Sequence, residues 1–394
     1  MLATCALLAL TVSAAPYTFD PAVAEELRAR DGVPNFLAKL RAGGPVRIAY
    51  LGGSITAAAG WRPKTLAWFK AQYPAADVHE INAAISGTGS DYSACRVQGD
   101  VLSKEPDLVF LECRVNGGDR FELQSVEGVV RQIWAHNPRT DICFVYTISE
   151  GMVNELAAGR QVEFGRVMER VADAYGIPSI DLGVEVAKRI HNGELVFTAK
   201  DNPGGKPVFA MDAAHPNGAG HDLYRDIIAR SMLAMNDVGK PGDHVLIAPL
   251  AADCWQVATL LPITQVALSA GWQPVDAHKD AVYIDDRGRT DQMLRGAVKC
   301  DKAGETLTVK WTGTTIGLSD LPYNPTMEIE AVVDGGQPIE MKRVQYEAIH
   351  KYARFWYLPG LPYGPHTAVF TVKTVAEGQW FYAGQVLVVG TVDK

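Results

Sequence analysis

The sequence predicts two domains: a three-layer α/β domain built on a parallel β-sheet, followed by a smaller antiparallel β-sandwich. At 394 residues, the chain exceeds the length of one average domain. In its first part, near-continuous apolar stretches alternate with amphipathic ones, which is typical of parallel strands covered by helices on both faces. In its last part, strand-like segments with alternating apolar and polar residues, separated by Gly/Pro turns, replace the helical pattern, as in antiparallel sandwiches.

We expect the α/β domain to span residues 16–240. Its strands are predicted where apolar residues run without interruption, and its helices where apolar residues recur at helical spacing. The predicted strands are 45–52, 77–85, 107–115, 141–149 and 177–183. The predicted helices are 64–73, 126–136 and 162–176. This alternation of strands and helices is what indicates a parallel sheet.

The second domain is expected over residues 241–394, as a jelly-roll-like β-sandwich. Its strands are predicted from alternating apolar and polar residues, at 306–313, 327–336, 366–374 and 385–393. The segment "NDVGKPGDH", residues 236–244, contains the Gly and Pro residues expected of a connection between the domains.

The charge of the chain excludes some classes of partner. The net charge is −8, and Lys and Arg form no dense cluster, so the sequence offers no electrostatic surface for nucleic acid or an anionic membrane. The N-terminal "MLATCALLALTVSAAP" has an apolar run followed by small residues, as in an export signal cleaved after residue 15. Export would make the protein secreted or periplasmic; the alternative is a buried or frayed N-terminal segment.

The cysteines have neither the spacing of a zinc site nor that of a disulfide framework, so we expect no metal ion. Cys113 and Cys143 lie within apolar strand-like runs and are expected in the core. One disulfide between Cys254 and Cys300 remains open.

The first predicted strand ends in "GGSIT", and Ser54 therefore follows its carboxyl end, the edge at which open α/β sheets bind ligands. A serine here could merely complete a turn. To act as a nucleophile, it needs a base and a carboxylate that orients that base. The stretch "FAMDAAHPNGAGH" supplies Asp212 and His215, three residues apart, and a helix is predicted to follow. His221 is the competing base.

Ester cleavage also requires donors for the oxyanion. Gly87 in "ISGTGS" and Asn116 in "RVNGG" follow the second and third predicted strands. Their backbone N–H and side-chain amide could converge with the backbone N–H of Ser54. Taken singly, the glycine could serve a turn and the asparagine a cap.

These four blocks together resemble the SGNH (GDSL-like) hydrolase family, in the family order, over residues 45–230. The resemblance implies a flavodoxin-like sheet, Ser54 as nucleophile, His215 as general base and acid, and Asp212 as the residue that orients it. It also implies an oxyanion hole made by Ser54, Gly87 and Asn116. Where the family often has Asn-Asp, this chain has Asn116-Gly117. Ile55 and Thr56 after the serine disfavour the G-x-S-x-G elbow of α/β-hydrolases.

The sequence motifs most resemble those of the carbohydrate acetylesterase branch of this family, in which "LGGSIT", a nearby "GWRP" and a C-terminal β-sandwich occur together. The resemblance implies a serine esterase that removes O-acetyl groups from plant cell-wall polysaccharide or its oligosaccharides through an acyl-enzyme, with no cofactor. Trp61 and Arg62 could line the sugar-binding cleft, although Trp61 could equally be core. Arg96 and Glu112 could form a structural ion pair.

Two other functions stay open at this point. The same acyl-enzyme could transfer its acyl group to a sugar hydroxyl instead of water, which would make the protein an O-acyltransferase. Alternatively, the aromatic segments "YARFWYLPGLPYG" and "GQWFYAGQ" near the C-terminus could bind polysaccharide beside an inert α/β domain.

Overall fold

The computed structural model describes residues 16–199, 203–275, 280, 288–324, 326–341 and 353–392. The predicted export signal, residues 1–15, lies outside the described residues. Every helix among the described residues is too short or too polar to cross a membrane.

The first sheet has six strands in the order β1-β6-β5-β4-β2-β3. Strands β2 to β6 are parallel, and only the short edge strand β1 is antiparallel to its neighbour. The strands are β1 Leu27–Arg28, β2 Gly44–Gly52, β3 Ala76–Asn82, β4 Leu108–Glu112, β5 Asp141–Tyr146 and β6 Ser179–Asp181. Four of the five predicted strands end earlier than expected, because the residues after them turn into the loops at the carboxyl edge.

Helices cover both faces of this sheet. One core cluster joins the sheet to α4, α5 and α7, and the other joins it to α1, α3, α8 and α9. The helices are α1 Pro34–Ala42, α2 Ser54–Ala57, α3 Trp61–Gln72, α4 Ser90–Asp100, α5 Glu122–His136, α6 Val153–Ala157, α7 Glu163–Tyr175, α8 Leu182–His191 and α9 Gly218–Ala234. Along β2, Ile48 and Tyr50 face one cluster while Ala49 and Leu51 face the other. The predicted three-layer α/β fold is confirmed.

The second sheet is antiparallel throughout and forms the C-terminal domain. Its strands are β7 Ala258–Pro262, β8 Ala267–Leu268, β9 Gln273–Pro274, β10 Val298–Cys300, β11 Thr306–Asp320, β12 Ile329–Val333, β13 Ile339–Glu340, β14 Arg354–Tyr357, β15 Gly364–Val372 and β16 Phe381–Val392. A short helix, α10 Arg289–Met293, precedes β10.

The longest strand of this domain, β11, changes partners along its length. Its first half pairs with β15, and its last residues pair with β14. On its other side it pairs with β8 and then with β16, so the sheet folds over its own core. The predicted boundary near residue 240 falls between the end of α9 at Ala234 and the start of β7 at Ala258.

The two domains share one apolar core. Trp255, which is buried, packs with tilted rings against Phe121 of the first domain, at 4.7 Å between ring centroids, and edge-on against Tyr357 of the second, at 5.2 Å. Phe355 packs on Tyr92 of α4 at 4.7 Å. The contact between the domains is therefore a continuation of the interior.

The structure confirms one of the two predictions about the cysteines and contradicts the other. Cys113 and Cys143 lie in the core, as predicted. The disulfide left open between Cys254 and Cys300 is wrong, because both thiols are buried and free among the described residues.

Candidate active site

Ser54 begins the short helix α2, directly after β2. The two glycines before it are required by close approach. A Cβ at Gly52 would lie 2.7 Å from the carbonyl oxygen of Glu112, and one at Gly53 would overlap the side-chain oxygen of Asn116. The "GGS" turn therefore places the serine hydroxyl at the carboxyl edge of the sheet. The backbone of the two glycines is packed too closely against its neighbours to leave room for side chains.

The structure brings Ser54, His215 and Asp212 together. His215 Nε2 lies 2.8 Å from Ser54 Oγ, and His215 Nδ1 lies 2.8 Å from Asp212 Oδ2. With Asp212 ionised, Nδ1 donates to the carboxylate, and Nε2 is left to accept the serine proton. This is the hydrogen-bond order that an activated serine requires.

The Asp212 carboxylate is held ionised by its own turn. Partial burial opposes ionisation, but hydrogen bonds from the backbone N–H groups of His215 and Ala214, and from the His215 ring, lower the pKa of Asp212. A β-bridge between Ala210 and Pro216 closes this loop. Next to it, the Asn217 side chain caps α9 by accepting from the Gly220 N–H.

His221, the competing base, has a different environment. Its Nδ1 accepts from the backbone N–H of Trp61 at 3.1 Å. Burial, reinforced by the charge of Lys64, lowers the pKa of His221 to about 4. His221 lines the same cavity as Ser54, but it is His215 whose ring nitrogen contacts the serine hydroxyl.

The predicted oxyanion residues lie in the loops around Ser54. The Asn116 side-chain oxygen packs against Gly53. The loop of Asn116 is fixed through Gly117, whose carbonyl accepts from the Ser90 N–H at 2.9 Å and whose φ of +73° favours glycine. Gly87, with φ of +68°, follows β3 in a turn beside the cavity. Donation by Gly87 and Asn116 to an oxyanion stays a prediction.

The structure does not place Trp61 and Arg62 in the wall of the sugar-binding cleft, where the sequence suggests them. Trp61 is 0% exposed and packs edge-on against Tyr50 and Phe110 in the core, so its assignment to the cleft wall is wrong. Arg62 is also buried: its Nε donates to the Thr56 carbonyl at 3.1 Å, and its guanidinium pairs with Glu80. The Arg62 side chain therefore supports the loop after Ser54 from the interior.

The proposed Arg96–Glu112 ion pair is also wrong. Arg96 bonds to Asp100 and to the Ala83 carbonyl. The Glu112 carboxylate, buried at the end of β4, accepts from the hydroxyls of Thr56 at 2.8 Å and Thr147 at 2.7 Å.

Glu112 thus has a supporting position that the sequence interpretation missed. Its carboxylate also accepts a longer bond, 3.4 Å, from the Gly53 N–H. Burial raises the pKa of Glu112, against these hydrogen bonds. The available signal was a charged residue inside the apolar run "DLVFLECRV".

The cavity at this edge has a volume of about 420 Å³. Ser54, Ser86, His215 and His221 line it together with Ala57 and Met211, and Met211 is 73% exposed at its rim. Among the described residues, no group of three His, Cys, Asp or Glu side chains is arranged to hold a metal ion.

Most of the described aromatic residues in the two C-terminal segments that could have formed a polysaccharide surface are used for packing, whereas Tyr363 is exposed. Phe355 and Tyr357 lie between the domains, and Trp356 packs against Phe370. Phe381 and Tyr382 are buried. This removes most of the surface on which the binding-protein alternative depended.

Residues 50–223 match the family model described as "GDSL-like Lipase/Acylhydrolase family", a range that includes Ser54, Gly87, Asn116, Asp212 and His215. No match was found among curated proteins. Two solved structures of a two-domain esterase (CEX) active on acetylated mannans, one co-crystallised with mannopentaose, are similar to this chain. Each has 22% identity and a TM-score of 0.74, over 91% of this chain and 94% of that one. At this identity the likeness shows a shared two-domain fold.

Proposed function

Since residues 50–223 form a GDSL-like lipase/acylhydrolase domain, we propose that the protein is a serine esterase that removes acetyl groups from carbohydrate. The observation that carries the proposal is the chain of hydrogen bonds from Ser54 Oγ through the His215 ring to Asp212. A fully buried serine could not reach a substrate, whereas Ser54 lines an open cavity.

The reaction proceeds by double displacement. Ser54 Oγ attacks the acetyl carbonyl carbon while His215 Nε2 takes its proton, and the oxyanion is bound by the N–H groups of Ser54 and Gly87 and by Asn116. The intermediate collapses when His215 returns the proton to the departing sugar oxygen. Water then attacks the acyl-enzyme, gives its proton to His215 and releases acetate.

Two points support an acetylated polysaccharide, or its oligosaccharides, as the substrate. The open cavity of about 420 Å³ is larger than an acetyl group requires, so it has room for the acyl group together with part of the sugar chain that carries it. The similar two-domain esterase is described as active on acetylated mannans, so acetylated mannan is the first polymer to test. Transfer of the acetyl group to a sugar hydroxyl would appear in the same assay as ester consumption without acetate release.

The nucleophile is tested by Ser54→Ala. We expect acetate release from a chromogenic acetyl ester and from acetylated mannan to fall by about 10³-fold or more, because the acyl-enzyme cannot form. Ser103→Ala, on an exposed hydroxyl that bonds the Gly99 carbonyl, is the control and should retain full activity. Turnover by Ser54→Ala at the rate of the unchanged protein would disprove the mechanism.

The base is tested by a matched pair of variants in the same cavity. His215→Gln should lower kcat by about 10³-fold or more, since the group that accepts the serine proton is lost. His221→Gln should lower it far less, because glutamine can still accept from the Trp61 N–H. The reverse order of losses would assign the base to His221.

We also propose that the protein is exported. The support is the apolar N-terminal run followed by Ser13, Ala14 and Ala15. Sequencing the mature N-terminus of the protein made in a secreting host should give Pro16 as the first residue. An N-terminus that still carries residues 1–15 on secreted protein would contradict cleavage.

A further inference from the structure

Arg289, in the C-terminal domain, reaches the active-site loops of the first domain. It is the first residue of α10, and its side chain is buried, with 4% exposure. Its Nε donates to the Ala353 carbonyl of its own domain at 2.8 Å. Its Nη1 donates to the carbonyl of Ser86, 203 residues away along the chain. One guanidinium thus connects the second domain to the turn after β3.

The carbonyl that Arg289 binds belongs to the same peptide group as the Gly87 N–H. The two ends of a peptide group are coupled by resonance, so a cation at the oxygen withdraws electron density from the nitrogen. Hydrogen bonds in such a chain strengthen one another, and bonds from a charged donor are stronger than neutral ones. Arg289 therefore both fixes the plane of this peptide and makes its N–H a better donor.

The surrounding turn holds this peptide beside Ser54. The Ile85 N–H donates to the Gly52 carbonyl at 3.0 Å, which ties the turn to the end of β2. Ser86 lines the cavity that contains Ser54. A Cβ on Gly87 would lie 2.5 Å from Arg289 Nη1, so the guanidinium packs directly on the glycine. Movement of the arginine would move the peptide.

We propose that Arg289 is a positioning residue that the C-terminal domain supplies to the oxyanion hole, where it holds and polarises the Ser86–Gly87 peptide. The inference rests on the proposed function, because it assigns the Gly87 N–H to the acetyl oxyanion. It makes the second domain a part of the catalytic apparatus, since the first domain alone would lack this cation.

A simple docking role for Arg289 is the alternative, and the chain contains a matched control for it. Arg120 of the first domain also crosses to the second, where it donates to the carbonyls of Tyr357 at 3.2 Å and Leu358 at 2.9 Å. Loss of Arg120 weakens the domain contact at a different place from the turn of Ser86 and Gly87. Arg120→Met and Arg289→Met therefore differ in their access to the oxyanion hole.

The test compares Arg289→Met, Arg289→Lys and Arg120→Met in the full chain. One readout is kcat and KM for 4-nitrophenyl acetate. The other is the inhibition constant of methylboronic acid. Ser54 Oγ adds to its boron and passes its proton to His215, so that a tetrahedral anion fills the oxyanion hole. Inactive or misfolded molecules lower kcat but leave this inhibition constant unchanged, so it reports on the hole itself.

We expect Arg289→Met to lower kcat about 10- to 100-fold, less than the loss of a whole oxyanion donor, with KM within about twofold. The boronic acid should bind more weakly by a similar factor. Arg289→Lys, which keeps a cation but cannot fork between two carbonyls, should lose about threefold to tenfold in both readouts. Arg120→Met should stay within about twofold in both.

The results separate the inference from the function on which it rests. If Ser54→Ala is inactive and the unchanged protein binds the boronic acid, unaltered inhibition constants in the Arg289 variants overturn the inference alone. Equal effects of Arg120→Met and Arg289→Met also overturn it. If Arg289→Met does not fold, an unaltered inhibition constant in Arg289→Lys does the same. Failure of the boronic acid to inhibit the unchanged protein, or full activity of Ser54→Ala, overturns the proposed function as well.

Discussion

At the scale of single residues, the cavity holds two histidines whose surroundings differ. The His215 ring lies between an ionised carboxylate and a serine hydroxyl, and is the one placed for proton transfer. His221 is buried and close to the Lys64 cation, with its Nδ1 accepting from the Trp61 N–H. Protonation of His221 would remove that acceptor and place a charge in the interior. It therefore acts as a neutral support for the chain around Trp61.

The lowered pKa of His221 predicts an acid-sensitive fold. The unfolded chain binds the proton with the ordinary value of 6.5, whereas the folded protein binds it only near pH 4. Between these values the unfolded state holds more protons, so the free energy of unfolding falls as the pH falls from about 6.5 towards 4. His221→Gln should show a shallower fall over the same range.

The measurement is urea unfolding of both proteins at pH 7, 6, 5 and 4.5. The contributions of all other groups are common to both, so the difference in slope isolates His221. Parallel curves across this range would show that His221 is already protonated in the folded state, or that its pKa is not lowered.

At the scale of elements, adjacent parallel strands position the nucleophile. The register of β2 and β4 places Gly52 beside Glu112, and the Glu112 side chain then accepts hydrogen bonds from Thr56 and from the Gly53 N–H. Strand β4 therefore supplies a hydrogen-bond acceptor directly beneath the turn that presents Ser54. The bond to Thr147 ties the same carboxylate to the end of β5.

Glu112→Ala is expected to loosen this turn. It leaves the donors of Thr56, Thr147 and Gly53 without their acceptor in the interior, which should lower the free energy of unfolding by about 2–4 kcal/mol. We also expect kcat for a small acetyl ester to fall about tenfold, because Ser54 is held less well.

The control for Glu112 is Thr147→Val, which removes one donor and leaves the bonds on the Ser54 side in place. It should cost about 1 kcal/mol and little activity. Equal losses of kcat in the two variants would mean that Glu112 serves the general stability of the strands and not the nucleophile turn.

Features that depend on residues close together in the sequence could be predicted, whereas features that depend on contacts between distant segments could not. Apolar runs and the Asp-x-x-His spacing are local patterns, so the strands and the contact of His215 with Asp212 could be predicted. The role of Glu112 could not, because it depends on the register between strands. The contact of Arg289 with the Ser86 carbonyl could not be predicted either, because 203 residues separate the two and no local sequence pattern indicates the contact.

At the scale of the whole molecule, the two domains behave as one packed body. Trp255 fills the space between Phe121 of the first domain and Tyr357 of the second. The same core cluster contains side chains of α4, α5 and β16. Separation of the domains would expose this aromatic surface to water, at a cost proportional to its apolar area.

We therefore expect a single cooperative unfolding transition, in which activity on a small acetyl ester is lost together with the fold of both domains. Trp255→Ala should lower the free energy of unfolding by about 3–5 kcal/mol, the usual cost of removing a buried tryptophan, and should shift the whole transition. Calorimetry and residual activity, measured over the same temperature range, provide the test. Tyr363→Ala, on a side chain that is 74% exposed in the same domain, should leave the transition in place. Two separate transitions, with activity surviving the first, would show instead that the C-terminal domain is an independent appendage, because a shared core cannot be lost from one domain alone.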